Sequence, residues 1–309
     1  MAVAESLRLR ALHRFAVATA SCTVLLLMAG ALVTSNDAAD SVPDWPLAYG
    51  KIIPPLVGGI RYEFAHRVVA GIVAVLTLVL AVWIASVDGR RWMRRLGWTA
   101  LGLVIAQALL GALRVLEGHP AISATAHAIL AQIFFITLVS IALFTSGWWE
   151  AEAPPFEDSA SPGLRALAAW TTVVIFAQLI LGAAFRHGAF GIAPHIFGAG
   201  VVLVMVVLTG RVAKARFARV PAIRRSVVWL HATFGTQILL GGAAYWAILA
   251  SRGDVQPGLT YVILTVAHVL VGALVLAASM VLTLMSYRLI RPAGAIAESP
   301  AAHSEAGTR

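Results

Sequence analysis

Eight stretches of this chain are apolar and almost free of charge: residues 15–33, 66–87, 96–114, 126–147, 165–184, 194–210, 226–247 and 260–284. A helix of roughly 20 residues crosses a ~30 Å hydrocarbon core, and this limits the fold more than any other feature. Backbone amides find no water at that depth, so the segments must be helices, and an open sheet is excluded. With 60% of residues hydrophobic and 12% charged, the expectation is an all-α polytopic membrane protein. About eight transmembrane helices would form two pseudo-symmetric four-helix bundles.

The formal charge of +9 does not point to nucleic acid, because the basic residues lie in short loops between apolar runs. Of 23 lysines and arginines, 17 fall on one side of the expected topology and Lys51, Arg61, Arg67, Arg114, Arg186 and Arg252 on the other. That asymmetry places both termini in the cytoplasm. Seven of nine tryptophans lie near the cytoplasmic ends, as an interfacial belt would. The basic start at Arg8, Arg10 and Arg14 raises a signal peptide, but its apolar part is long and lacks a small-x-small site. It is read as a retained helix. The acidic, proline-containing loop after Trp148 divides the chain into a first bundle (1–147), a cytoplasmic linker (148–164), a second bundle (165–290) and a disordered cytoplasmic tail (291–309). Cys22 is the single cysteine, so neither an intrachain disulfide nor a multi-cysteine metal site can form.

The chain repeats itself. Gln107-Ala-Leu-Leu-Gly111, Gln178-Leu-Ile-Leu-Gly182 and Gln237-Ile-Leu-Leu-Gly241 share a pattern, and the first segment ends on Gly30 with Leu26 in place of the glutamine. Residues four apart share a helix face, and small residues with amides pack membrane helices together. Packing is a sufficient role for these glutamines. The repeating unit is a helix hairpin, used four times.

Each even-numbered apolar helix opens with a histidine: His66, His127, His195 and His268. By the charge assignment all four lie near the outer face. Ionisable groups within a bilayer are costly and usually functional, and bundle interiors are where cofactors are built from facing helices. Bare zinc or copper would call for three or four close ligands or for cysteines. Two imidazoles on opposite faces of a planar ring suit heme, so His66 pairs with His127 and His195 with His268. His13, His119, His187, His231 and His303 do not repeat; His119 and His187, in outer loops, could meet heme propionates or solvent, and solvent is the expectation. Glu63 breaks the symmetry. It stands three residues before His66, where the other repeats have Ala124, Ile192 and Thr265. Either it serves chemistry at one site only, or it pairs with Arg61 or Arg67 at the membrane surface.

These elements resemble the heme A synthase family. The resemblance rests on Gly30-Ala31-Leu32-Val33, Asp44-Trp45-Pro46-Leu47-Ala48-Tyr49-Gly50, Glu63-Phe-Ala-His66-Arg67 and the repeat carrying His127, His195 and His268, and it covers residues 15–290. It implies a heme b cofactor on the iron ligands His195 and His268. It also implies the substrate heme O between His66 and His127, and Glu63 as the essential carboxylate. The implied reaction is oxidation of the C8 methyl of heme O to a formyl group, with water supplying oxygen. Heme O synthase and an electron acceptor are the implied partners, in a bacterial plasma membrane. Self-association is left open. The chain departs from many relatives in lacking a cysteine pair in residues 34–62, and in having Thr34-Ser35-Asn36 where they carry an arginine. That leaves a propionate partner to Arg61, Arg114, Arg186 or Lys51. A plain bis-histidine cytochrome b for quinol-linked electron transfer is the competing reading, and a heme transporter or assembly factor the next.

Overall fold

The computed structural model describes residues 2–39, 41–116, 121–151 and 156–292, with side chains from Arg8 onward. His119, His303 and most of the expected tail lie outside the described residues. Eight long helices dominate: α1 (Ala2–Ser35), α2 (Ile60–Val87), α3 (Arg91–Leu116), α4 (Ala121–Phe144), α6 (Leu164–Arg186), α7 (Ala193–Phe217), α8 (Pro221–Ala250) and α9 (Leu259–Leu289). Each is long and apolar enough to cross a membrane, and the protein is an integral membrane protein. Pro194 and Pro221 sit in the first turns of α7 and α8, where a missing amide costs nothing.

Helices α1–α4 pack in sequence and close with α1 on α4, and α6–α9 do the same, closing with α6 on α9. The halves meet through α4 and α9, flanked by α1 on α9 and α4 on α6, as a two-fold repeat requires. Hydroxyl pairs tie helices across the interior: Thr172 to Ser279 (2.7 Å) and Thr171 to Thr209 (2.7 Å) within the second half, and Ser35 to Thr265 (2.8 Å) between halves. In lipid, packing and such bonds hold helices together. Cys22 packs beside the first-half core.

The linker is more structured than the sequence suggested. It holds a single turn, α5 (Gly147–Glu150), capped by Ser146, and strand β1 (Phe156–Asp158). Strand β1 pairs in parallel with β2 (Ile290–Pro292), matching Glu157 with Arg291. The tail expected from residue 291 therefore begins with two strand residues. Asp158 accepts from the Leu164 amide at 2.7 Å and meets Arg216 at 3.3 Å, which fastens the linker to α6 and α7.

The core is placed unevenly. The large core cluster of the first half takes its first α2 and α4 residues at Val73 and Phe134, and that of the second half its first α7 and α9 residues at Val202 and Val275, each seven residues past its histidine and at most 3% exposed. Seven residues are two turns, about 10 Å. The two large apolar clusters thus start about two turns below the histidines, and at the histidines' own depth the described core includes only smaller groups such as Ala31, Val262 and Val266.

Candidate heme sites

The four histidines enter the bundles in one way. In each hairpin the glycine of the odd-numbered repeat helix lies against the imidazole of the next. A Cβ built on Gly30 would come 3.2 Å from His66 Cε1, on Gly111 3.3 Å from His127 Cε1, on Gly182 2.8 Å from His195 Cε1, and on Gly241 3.0 Å from His268 Cε1. At Gly182 a methyl group would force the ring or the helix to shift, and at the other three it would fit only if the ring gave way by a few tenths of an ångström.

The repeated glutamines reach the same residues. Gln178 Nε2 donates to the His195 carbonyl at 2.8 Å and lies 3.0 Å from its Nδ1. Gln107 Nε2 donates to the His127 carbonyl at 2.9 Å, and Gln237 Nε2 lies 3.4 Å from His268 Nε2. Packing alone understates these residues: they orient the histidines. The signal was present in the Gln-x-x-x-Gly spacing, but which helix faced it was not.

The His195 and His268 rings stand 6.2 Å apart, centre to centre, with planes at 89°. Two metal–imidazole bonds of ~2 Å, plus the distance from each nitrogen to its ring centre, require a separation of about this size. His66, His127 and His268 each keep Nδ1 buried without a protein partner, an arrangement that costs about 1–3 kcal/mol per group unless a bound group meets it. His66 and His127 lie within electrostatic reach of each other and of Arg114. Among the described residues no cluster of three or more His, Cys, Asp or Glu could hold a bare metal ion. Paired imidazoles fit heme iron, which takes its other ligands from the porphyrin.

Glu63 is 5% exposed, so the surface pair considered from sequence is corrected to a buried one. Its Oε1 accepts from Arg67 Nη2 at 2.6 Å and its Oε2 from the Val42 amide at 3.1 Å. Arg61 instead bonds Tyr62. Arg67 Nη1 also donates to the carbonyls of Asp44 (2.8 Å) and Leu47 (2.9 Å). The Asp44 carboxylate takes the Gly50 and Tyr49 amides at 2.7 and 2.6 Å, and these bonds hold its pKa below the usual carboxylate range. The Asp-Trp-Pro-Leu segment is thereby pinned over the N-terminal end of α2, and Glu63 lies beneath it.

The other histidines have separate duties. His13 bonds the Ala142 carbonyl at 3.0 Å, and His231 a carbonyl of its own helix. His187 was expected in solvent but is half-buried. Burial, with Arg114 and Arg186 nearby, pushes its pKa down to about 4.

Comparison with known proteins agrees with this arrangement. Residues 60–195, which contain Glu63, His66, His127 and His195, match the family model of a cytochrome oxidase assembly protein, COX15-CtaA. A protein named heme A synthase from Lysinibacillus sphaericus is 35% identical over 186 residues, 58% of this chain and 59% of the relative. The match thus spans less than two thirds of that relative's length. Heme A synthases of Symbiobacterium thermophilum and Shouchella clausii are 27% and 26% identical, over 75% and 91% of this chain and 85% and 97% of theirs. The paired histidines on a four-times-repeated hairpin stand beside these matches, and the chain is similar to heme A synthases.

Proposed function

We propose that this protein is a heme A synthase, an oxidoreductase that converts the C8 methyl of heme O to a formyl group. The observation that carries the reading is the His195–His268 pair, 6.2 Å apart, with each ring seated on a glycine. In this reading His195 and His268 hold a resident heme b, and His66 and His127 hold the substrate heme O. A bis-histidine heme supplies one-electron transfer, which suits the second half to passing on electrons taken from the first.

The residues of the chain do the rest. The glycines and glutamines fix the rotation of each imidazole. The dense core two turns below bars deeper entry, so a porphyrin stays near the outer face. Glu63 accepts hydrogen bonds from Arg67 and the Val42 amide, and a carboxylate so placed can take up a proton or stabilise developing positive charge. Arg67 and Val42 occupy one acceptor site on each oxygen, and the second lone pair of each is left to accept a proton. The pinned outer loop covers the carboxylate and limits water to what the reaction consumes. Heme O synthase, an electron acceptor and the lipid bilayer complete the partners. The basic-residue asymmetry supports cytoplasmic termini.

The bond of Glu63 to Arg67 and the outer loop would also serve a quinol-linked bis-histidine cytochrome, in which the carboxylate is only an anchor. One experiment separates the two. Hemes extracted from the purified protein and resolved by chromatography should include heme B, with heme O or heme A beside it. His195→Ala and His268→Ala should each abolish the six-coordinate heme b spectrum. Heme B alone, with no heme A formed in cells that make heme O, would favour the electron carrier.

A further inference from the structure

Arg186 is a cation at the junction of the two halves. It ends α6, yet its Nη2 donates to the Ala31 carbonyl (3.0 Å) and to Ser35 Oγ (2.7 Å) of α1, and Ser35 in turn meets Thr265 of α9. These acceptors are neutral and occupy one nitrogen. Among the described residues Nε and Nη1 have no protein partner. Three other arginines among the described residues each meet a carboxylate: Arg67 with Glu63, Arg90 with Asp88 and Arg216 with Asp158. Around Arg186 the near ionisable groups are His187, Tyr261 and His268, and none is a carboxylate. A cation withdrawn from water without a counter-charge is expensive, and a planar guanidinium with two open edges matches a carboxylate. It also lies within electrostatic reach of His268.

We infer that Arg186 binds a carboxylate of the porphyrin held between His195 and His268, an inference that rests on the heme reading above. The same residue stands where the Thr34-Ser35-Asn36 turn lacks a basic side chain, reaching α1 from the other half of the molecule.

The test is the midpoint potential of the heme that co-purifies on His195 and His268. Arg186→Gln keeps donors for Ala31 and Ser35 and removes the charge. A nearby cation favours ferrous over ferric heme, so the potential should fall in the variant. The expected shift is roughly tenfold in the ferric–ferrous equilibrium, about 59 mV for one electron. Arg186→Lys should restore most of it, and Ser35→Ala, which cuts only the tie to α1, should leave it unchanged. If Arg186→Gln sheds its heme, retention and a near-normal potential in Arg186→Lys still support the inference, and heme loss in both overturns it. A six-coordinate heme at unchanged potential in Arg186→Gln overturns it as well. A matching fall in Ser35→Ala would reduce Arg186 to a structural tie. A matching fall in wild-type protein stripped of phospholipid would assign the anion to a lipid phosphate. Spectra indifferent to His195→Ala and His268→Ala would instead remove the heme reading itself.

Discussion

Gly182 lies beneath the imidazole of His195 so closely that a Cβ there would stand 2.8 Å from Cε1, the tightest such contact at the four repeated histidines. Both groups belong to packed helices, so the ring must tilt or the helices must part. Gly182→Ala should cost about 1–3 kcal/mol, as overpacking does, and should weaken or broaden the low-spin heme spectrum. Gly111→Ala, whose contact with His127 is 3.3 Å, should leave heme b untouched. Equal spectra for Gly182→Ala and wild type would show that the ring has slack.

Gln178 holds the backbone and lies beside the ring of His195 at once. Groups that orient a metal ligand are worth 10–100-fold in affinity. Gln178→Leu should therefore lower heme retention about 10–100-fold during dilution in detergent while the helices still insert. Retention equal to wild type would return the glutamine to packing.

Glu63 and Arg67 form a buried pair beneath the outer loop. Glu63→Gln should keep heme b, fall at least ~10²-fold in heme A formation, and accumulate heme O or a hydroxymethyl intermediate. Arg67→Ala strands the carboxylate and frees the carbonyls of Asp44 and Leu47. A loss of about 3–5 kcal/mol is expected, read as a lower melting temperature and faster proteolysis in residues 41–59. Normal heme A per molecule of Glu63→Gln protein would take Glu63 out of the mechanism.

The loop should respond to acid in a defined sense. The pKa of Asp44 is lowered in the folded chain by the Gly50 and Tyr49 amides, so the unfolded loop binds the proton more readily. Its contribution is complete above the ordinary carboxylate pKa of ~4 and disappears as pH falls through the lower folded value. Protease resistance of residues 41–59 should hold at pH 5 and weaken below about pH 4. In Asp44→Asn it should be weak at both. Resistance that ignores pH in the wild type would mean that the amides do not depend on the charge.

Orientation can be read with two cysteines in a Cys22→Ser background. Val255 is 94% exposed in the turn before α9, and Arg219 is exposed in the turn before α8. An impermeant maleimide added to intact cells should label Val255→Cys and spare Arg219→Cys. The opposite pattern would invert the topology drawn from the basic residues.

The spans were legible in the sequence because a bilayer demands long apolar runs, a local property that needs no partner. The four histidines were legible for a similar reason: a repeat places equivalent residues at equivalent depths. Tertiary structure decided which groups meet. Nothing local told that Gly182 and Gln178 both address His195, that Glu63 turns to Arg67 and Val42, that Arg186 crosses to Ala31 and Ser35, or that Glu157 pairs with Arg291. Those contacts depend on how far each helix is rotated and where it crosses its neighbour. Packing of small residues between distant segments sets both, and a period of 3.6 residues carries no record of either.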